Sequence, residues 1–405
     1  MAKRVDVTTV QAQDGIEEPE ANVPVDSGPD RVMIVSASIG EGHNATGEAL
    51  REAVGTLWPQ ARVDWVDLLT EMGFGSGPLF RGVYTGSLRR LPWLYEFFYR
   101  RVRHYRWLQR FAKRLIGAWS GRTMARVVAT GKPDMVLSTY PMATTGLEWL
   151  RRNRGMPTPT ATWVAAFDPH PSWVHAGVDV NFVMHDVAVP AAVSGVPDAV
   201  VRVSALPVAA AFGPGEREPA RRELGLPVDA FIALVSCGSL GFGDVAESVR
   251  ELLRGGGTNM CVLVVTGRNE TLRSTLVATF GDEPRVRVFG WVVNMPELLH
   301  ATDVVVTNAG GATFREALAC GRSVLMHNPI AGHGRANGEL MVRAGLARLC
   351  EGAGALAVAA RDLRQDPARL AAGEQAIGAH LAAHPRLTDS LAALWADDAA
   401  SAQSS

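Results

Sequence analysis

The sequence predicts an α/β protein with two Rossmann-like domains, each built on a parallel sheet, that face each other across a cleft. The chain has 405 residues, which is more than a single hydrophobic core usually organises. A strand–helix–strand pattern occupies residues 31–66, and the same pattern begins again near residue 230. Because such units make parallel sheets, the carboxyl ends of the strands should face the cleft, where these sheets bind ligands.

The first domain begins with an apolar run at residues 31–36, which is typical of a buried strand. A turn containing Gly40 and Gly42 follows, and apolar residues then recur at helical spacing from Ala45 to Leu57. Further strands are predicted at 61–66, 134–138 and 161–166. The last of these leads into an irregular segment rich in proline, histidine and tryptophan.

The second domain follows a turn-prone stretch at residues 213–216. Its predicted strands lie at 230–236, 260–265, 286–289, 303–307 and 323–326, and the alanine-rich stretch at about 355–400 is predicted to be helical. We expect a disordered tail at 1–29, which is acidic and lacks apolar periodicity. The predicted divisions are then an N-terminal domain at 30–207, a C-terminal domain at 208–375, and a C-terminal helix and tail at 376–405.

The composition is that of a globular protein, with 47% hydrophobic residues and a net charge of −1. No apolar run reaches the roughly 18–20 residues that a transmembrane helix needs, and the N-terminus lacks the apolar core of a signal peptide. The four cysteines are far apart and form no CxxC pair, so the sequence favours neither a disulfide framework nor a zinc site. We therefore expect a cytoplasmic protein.

Residues 79–122 form a basic aromatic segment that carries a net charge of +10 and eleven of the 28 aromatic residues. Six of its residues fall on one helical face: Leu94, Phe98, Val102, Tyr105, Leu108 and Leu115. A basic amphipathic helix of this kind suits an anionic lipid surface, at the inner face of the cell membrane. An ordinary helical pair with a core of aromatics fits the same pattern. No nucleic-acid partner is expected, because no reader motif is present.

The first candidate for chemistry is the turn that ends in Gly42 and His43, between a strand and a helix N-terminus. Glycines there let backbone amides approach a substrate or a phosphate. A neutral imidazole at this position could accept a proton from an attacking hydroxyl, although a capping or packing histidine is the simpler interpretation.

The second candidate is the stretch at residues 307–317, again a strand, a Gly-Gly turn and a helix. The amides at Gly310 and Gly311 suit a pyrophosphate, and Glu316 could hold ribose hydroxyls. Alternatively, Thr313 caps the helix and Glu316 completes a capping box. A third polar loop, at residues 328–337, lies at the same predicted edge of the sheet.

The order of these motifs resembles the monogalactosyldiacylglycerol synthases and the processive diacylglycerol glucosyltransferases. Six stretches between about residues 31 and 347 carry the resemblance: SIGEGHNA at 38–45, FDPHPSWVHAGVD at 167–179, TGRN at 266–269, GWVVNM at 290–295, GGATFRE at 310–316 and GHGRAN at 332–337. The histidine–tryptophan stretch at 167–179 is the most specific of them.

This resemblance implies a GT-B glycosyltransferase of family 28 that moves a hexose from a UDP-sugar to a lipid hydroxyl with inversion. His43 would be the base. The acceptor side would be formed by Gly42, Asp168, His170, Trp173 and His175. The donor side would be formed by Gly238, Arg268, Val292, Gly310, Gly311, Thr313, Glu316, His333 and Asn337, with the Val292 backbone on the uracil and the Gly310–Thr313 amides on the phosphates.

Two single positions depart from the family pattern, as does the loop CGSLG at 237–241, which replaces the usual GGGEG. Asn308 stands where the family has a lysine, and Gly334 stands where it has a carboxylate that reads sugar hydroxyls. A UDP-sugar 2-epimerase, which would use Glu41 and Asp168 in the cleft, and a weakly active lipid- or partner-binding protein remain as alternatives. No DxD pair stands near the donor motif, so we expect neither a catalytic metal nor a cofactor.

Overall fold

The computed structural model describes residues 28–39, 41–73, 76–236, 238, 243–308 and 311–403. The tail predicted to be disordered therefore lies, apart from its last two residues, outside the described part of the chain.

The first domain contains a six-stranded parallel sheet with the strand order β2-β1-β3-β4-β5-β6. Its strands are β1 (Arg31–Ser36), β2 (Arg62–Asp67), β3 (Met135–Ser138), β4 (Thr160–Trp163), β5 (Val180–Val183) and β6 (Val201–Val203). Its helices are α1 (Glu41–Leu57), α2 (Leu68–Glu71), α3 (Ser76–Arg90), α4 (Pro92–His104), α5 (Arg106–Gly131), α6 (Pro141–Arg154) and α7 (Val189–Gly195).

The second domain contains another six-stranded parallel sheet, in the order β12-β11-β10-β7-β8-β9. Its strands are β7 (Phe231–Ser236), β8 (Met260–Val265), β9 (Val286–Phe289), β10 (Val304–Thr307), β11 (Ser323–His327) and β12 (Ala347–Cys350). Its helices are α8 (Arg217–Glu223), α9 (Val245–Gly256), α10 (Glu270–Phe280), α11 (Met295–Ala301), α12 (Ala312–Ala319), α13 (His333–Arg343), α14 (Ala355–Gln365) and α15 (Pro367–Ala383).

The predicted fold class and all nine predicted strands are confirmed, with bounds that differ by a few residues. The strand predicted at 161–166 ends at Trp163, and its last residues belong to the loop that follows. Three strands were not predicted: β5, β6 and β12. The strand β6 has three residues, and β12 is an edge strand that is mostly half-buried, so neither has the continuous apolar run of a buried parallel strand.

One apolar cluster continues from the first domain into the second. The rings of Phe167, in the loop after β4, and Phe314, on α12, meet edge to face with their centroids 5.7 Å apart. Both side chains are buried. The two sheets are therefore held together by packed side chains as well as by the linker near residue 207.

The chain returns to the first domain after α15. Helix α16 (Leu387–Gln403) packs Leu391 and Leu394 against Ile34, Leu50 and other buried residues of the first sheet and α1. Helix α15 spans residue 375, where the sequence placed the end of the second domain. The predicted C-terminal helix is thus a part of the first domain in space.

The basic aromatic segment forms α3, α4 and α5 rather than one helix. The chain is extended at Tyr105, which separates α4 from α5, so the single apolar face expected from Leu94 to Leu115 does not form. Many large side chains of the two helices instead face solvent, including Trp93, Trp107 and Phe111, which are 67%, 68% and 60% exposed. No helix in the described ranges is long and apolar enough to span a bilayer.

The role of α16 can be tested with Leu391→Ala. Leu391 is fully buried, so the substitution should lower the free energy of unfolding by about 2–5 kcal/mol, through lost transfer free energy and a residual cavity. Denaturant unfolding followed by circular dichroism measures this change. The control is Asp397→Ala on the same helix, which removes a partly exposed ion pair with Arg202 and should lower the free energy by under about 1 kcal/mol. Equal effects of the two substitutions would contradict the packing described here.

Candidate active site

Two helix N-termini, one from each domain, meet in the cleft. A Cβ added to Gly42, in the first turn of α1, would lie 4.0 Å from the backbone nitrogen of Ala312, the first residue of α12. Both helices present their positive ends there, and among the described residues no side chain caps α12 at Gly311. Uncapped amides at a helix N-terminus favour an anion, and Gly310, predicted to contribute, lies outside the described residues.

His43 lies on the first turn of α1, beside this junction. Its imidazole stacks on the indole of Trp173, with the ring centroids 5.2 Å apart, and meets the ring of Tyr140 edge to face. Its Nδ1 is 2.7 Å from the carbonyl oxygen of Thr139. Because a carbonyl can only accept, Nδ1 carries the hydrogen, and the neutral ring keeps its lone pair on Nε2.

The protonation state of His43 suits a base. Burial lowers the pKa of His43 to about 4, and the nearby Arg315 and His333 act in the same direction, while the hydrogen bond to Thr139 opposes them. The imidazole is therefore neutral at physiological pH. A fixed tautomer with a free lone pair on Nε2 can accept a proton from a bound hydroxyl.

Arg315 connects the two domains, and the sequence analysis did not single it out. The side chain leaves α12, is fully buried, and donates from its guanidinium to the carbonyl oxygens of Ala165, at 2.5 Å, and Gly42, at 3.1 Å. Burial lowers the pKa of Arg315 to about 10, so the group stays charged at neutral pH. No pattern in the sequence distinguishes this arginine from those on other helices.

Glu316 is the other charged residue of α12 near the junction. Burial raises the pKa of Glu316 to about 7, although the neighbouring Arg315 opposes the shift. Its carboxylate has no hydrogen-bond partner among the described residues. The alternative that Thr313 and Glu316 form a capping box is wrong, because α12 begins at Ala312 and the hydroxyl of Thr313 lies 3.3 Å from that of Ser236.

The loop after β4, residues 164–179, which is predicted to form the acceptor side, is held to α4. The buried carboxylate of Asp168 pairs with the guanidinium of Arg103 and accepts the Tyr99 hydroxyl at 3.0 Å. His170 donates from Nε2 to the carbonyl of Tyr99 at 3.0 Å, and its Nδ1 lies 2.8 Å from the Ser172 hydroxyl. Asp168 and His170 therefore position α4, a contact that spacing in the sequence could not indicate.

His175 lies deeper than the sequence analysis placed it. Its ring is fully buried, and its Nδ1 is 2.7 Å from a carboxylate oxygen of Glu148. Burial lowers the pKa of His175 to about 4, whereas the hydrogen bond from His175 holds the pKa of Glu148 at about 2 in spite of burial. The His175–Glu148 pair therefore supports the loop that carries Trp173 on the buried side of that loop.

The predicted donor residues surround the second sheet's carboxyl edge. Arg268, after β8, pairs with Glu41 of the first domain at 3.2 Å, and its guanidinium lies 4.2 Å from the ring centre of Trp291. Val292 follows β9 and is half-buried. Gly238 follows β7 with a φ of +71°, a conformation that favours glycine.

His333 and Asn337, at the start of α13, contact the first domain. The amide oxygen of Asn337 accepts the backbone N–H of Asp168 at 2.7 Å, and His333 lies beside Tyr95 of α4. Glu96, also on α4, accepts the backbone N–H of Gly332. The site residues of the two domains are thus brought together, with α4 as an addition that the sequence analysis did not place there.

The two departures from the family pattern lie against each other. A Cβ added to Gly334 would lie 2.9 Å from the carbonyl oxygen of Asn308 and 2.6 Å from a side-chain atom of Ile330. That carbonyl also accepts the N–H of Ile330 at 3.0 Å. A glycine is required at position 334 by this close approach.

Metal ligation is possible at one place in the described ranges. His185, His380 and His384 form a group of three ligating side chains, next to Phe167 rather than at the N-terminus of α12. The carboxylates that an epimerase would use are both engaged, Glu41 with Arg268 and Asp168 with Arg103.

Family models of known proteins match both domains of the chain. The family described as monogalactosyldiacylglycerol (MGDG) synthase matches residues 43–208, and the glycosyltransferase family 28 C-terminal domain matches residues 232–383. A probable monogalactosyldiacylglycerol synthase 2 of Oryza sativa subsp. japonica is 26% identical, over 80% of this chain and 72% of that protein. A processive diacylglycerol beta-glucosyltransferase of Bacillus subtilis is 26% identical, over 78% and 82%.

The fold is shared more widely. The crystal structure of Acinetobacter baumannii MurG superposes with a TM-score of 0.57 at 14% identity, over 91% of this chain and 99% of that one. The two facing parallel sheets are therefore those of the GT-B fold. With the two domain matches in order along one chain, the protein is a glycosyltransferase of the family 28 type that is similar to the monogalactosyldiacylglycerol synthases and the processive diacylglycerol glucosyltransferases.

Proposed function

We propose that this glycosyltransferase moves a hexose from a UDP-sugar to the hydroxyl of a diacylglycerol-like lipid, with inversion at the anomeric carbon. The names of the relatives support the lipid acceptor. The observation that carries the proposal is the position of His43: the Thr139 carbonyl holds its Nδ1, which leaves the lone pair on Nε2, and its neighbour Gly42 lies against the uncapped N-terminus of α12.

The chemistry needs a base on one side of the sugar and stabilisation of the leaving group on the other. The lipid oxygen attacks the anomeric carbon while Nε2 of His43 takes its proton. The bond from that carbon to the pyrophosphate oxygen breaks, and UDP leaves with the electron pair. The amides at Gly311 and Thr313 and the dipole of α12 stabilise the negative charge, and Arg268 adds a cation at the mouth of the cleft.

The remaining donor contacts follow from the loops of the second sheet. Glu316 holds the ribose hydroxyls, and the backbone of Val292 meets the uracil. The loop at Gly238 approaches the phosphates, and Gly310 is the further glycine that the sequence predicts for this contact. His333 and Asn337 border the sugar, and Asn337 also fixes the Asp168 backbone, so the donor loop and the acceptor loop are set by one contact.

The acceptor arrives from a membrane that α4 and α5 contact. Their exposed aromatic side chains would enter the interface, and the exposed arginines between them would meet anionic headgroups. Trp173, stacked on His43, gives the acceptor side an apolar wall. The location that follows is the inner face of the cell membrane.

The test of the reaction is incubation of the pure protein with UDP-glucose, UDP-galactose or UDP-GlcNAc and vesicles that contain diacylglycerol. Mass spectrometry should detect a glycosylated lipid with one of the donors, and His43→Ala should lower kcat by roughly 10²–10⁴-fold. The affinity for UDP, measured by calorimetry, should change little. Near-normal turnover in the variant would remove His43 from the mechanism, and release of UDP without a lipid product would contradict the transfer.

Glu316→Gln tests the ribose contact. At pH 8 the wild-type carboxyl is ionised, because the pKa of Glu316 is about 7, and it can accept from the ribose hydroxyls; the variant should bind UDP about 1–3 kcal/mol more weakly. At pH 6 the wild-type group is protonated, so the difference should shrink. Calorimetry at the two pH values measures this, and a difference independent of pH would contradict the assignment.

The same variant has a stability readout without nucleotide. A carboxyl whose pKa is raised in the folded state destabilises it as the pH rises through about 7, so Glu316→Gln should melt at a higher temperature than the wild type at pH 8. A lower melting temperature of the variant at pH 8 would contradict the raised pKa of Glu316.

The membrane contact can be tested on α5, away from the cleft. Arg106, Arg110 and Arg114 are exposed, and replacing all three by Gln should weaken binding to vesicles of phosphatidylglycerol and phosphatidylcholine by about 3 kcal/mol, or roughly a hundredfold, at low salt. Sedimentation measures the bound fraction. The control replaces Arg250, Arg254 and Arg361, exposed on the second domain, and should bind normally.

The apolar part of this contact is separable. Trp107→Ser with Phe111→Ser should remove the binding that survives in high salt, because burial of aromatic rings is not screened. A wild-type protein that ignores anionic vesicles at low salt would show that α4 and α5 do not dock on membranes.

A further inference from the structure

A cluster of three histidines lies where the chain crosses from the second domain back to the first. His185 follows β5, and His380 and His384 come from the last turn of α15 and the residues after it. One ring nitrogen of each lies within 4.8 Å of the others. The rings of His185 and His380 are stacked with centroids 4.9 Å apart, and the His384 ring meets both edge to face.

Two buried nitrogens of this cluster have no hydrogen-bond partner in the described part of the chain. They are Nδ1 of His380 and Nε2 of His384. His380 is 7% exposed, and the side chain of His384 is 8% exposed. Buried polar nitrogens are normally satisfied, so two unsatisfied nitrogens in one cluster need an explanation.

The surroundings favour neutral rings, which are the form that binds metals. Burial lowers the pKa of His380 to about 4, and the other two histidines act in the same direction. Met184, Ala188 and Ile377, which are close to these histidines in sequence, belong to the buried apolar core. A carboxylate oxygen of Asp186 lies 3.9 Å from Nε2 of His384, at the exposed edge.

We propose that His185, His380 and His384 bind a Zn²⁺ ion, with the carboxylate of Asp186 as the fourth ligand. Three imidazoles and one carboxylate make a donor set that zinc accepts in tetrahedral geometry. Zn–N bonds of about 2.0–2.1 Å place ligand nitrogens about 3.3 Å apart, so the rings must turn inward from their present separation. The Nδ1 of His185 accepts the N–H of Val187 at 3.0 Å, and ligation through that atom gives up this hydrogen bond.

The ion would hold together three parts of the molecule. His185 follows β5 of the first sheet, α15 packs on the second sheet, and the segment after His384 leads into α16. This segment is already tied to the interdomain linker, because Ala205 donates its N–H to the carbonyl of Pro385 at 2.8 Å. The ring of Phe167, one residue before Asp168, packs beside His185. The role is structural, at the rear of the cleft, and separate from the pyrophosphate site.

The test uses the full chain without a polyhistidine tag. The protein is treated with EDTA, supplied with equimolar ZnCl₂, passed through a desalting column and analysed for metal by mass spectrometry. We expect one zinc ion per chain and a melting temperature above that of the metal-free protein, since a ligand that binds only the folded state stabilises it. Co²⁺ in place of zinc should give the visible absorption of a tetrahedral complex.

Matched variants distinguish the cluster from adventitious binding. His380→Gln and His384→Gln should each lose the retained zinc and the rise in melting temperature, whereas His104→Gln, an exposed histidine on α4, should keep both. Circular dichroism of the metal-free variants checks their folding. A wild-type chain that retains no zinc, or variants of the cluster that retain as much as the wild type, would overturn the proposal.

Discussion

The guanidinium of Arg315 is the contact on which the arrangement of the site depends. It is a buried cation that crosses from the second domain to the carbonyl groups of Ala165 and Gly42 in the first. Burial of such a group is unfavourable unless its N–H groups find acceptors. The two carbonyl groups therefore have to remain within hydrogen-bond distance of the guanidinium in this arrangement of the domains. The same cation faces His43 and favours its neutral form. Arg315 thus connects the two domains and, together with burial, favours the neutral form of His43.

Helix α4 gives the closed arrangement a second set of contacts. One face meets the acceptor loop through Tyr99 and Arg103, and also meets the second domain through Glu96 and Gly332. Phe97 and Phe98, on the other side of the helix, are exposed to solvent. Asp168 and His170 therefore position α4, in addition to their predicted place on the acceptor side.

Sequence reasoning predicted the architecture well because buried parallel strands are continuous apolar runs, and such runs are visible without knowledge of their partners. It missed β5, a run of four residues that Asn181 interrupts, and it missed β6 and β12, which are short or half-exposed and are defined by their neighbours in the sheet. The site turns were predicted because glycines between a strand and a helix mark them. Arg315 and the contacts of α4 were not, because they depend on side chains about 70 to 270 residues apart that only the closed fold brings together. The contact between Asn308 and Gly334 could not be predicted for the same reason.

The return of α16 to the first domain has a consequence for the order of synthesis. The face of the first sheet formed by Val32, Ile34 and Met135, with Leu50 of α1, is completed by Leu391 and Leu394, which the ribosome adds more than 250 residues after Met135. At about 5–20 residues per second, this apolar face stays open for roughly 10–50 s after its own strands have emerged. The second domain is complete in sequence before then and can fold as a unit. The first half of the chain is therefore the part that a chaperone would have to cover during translation.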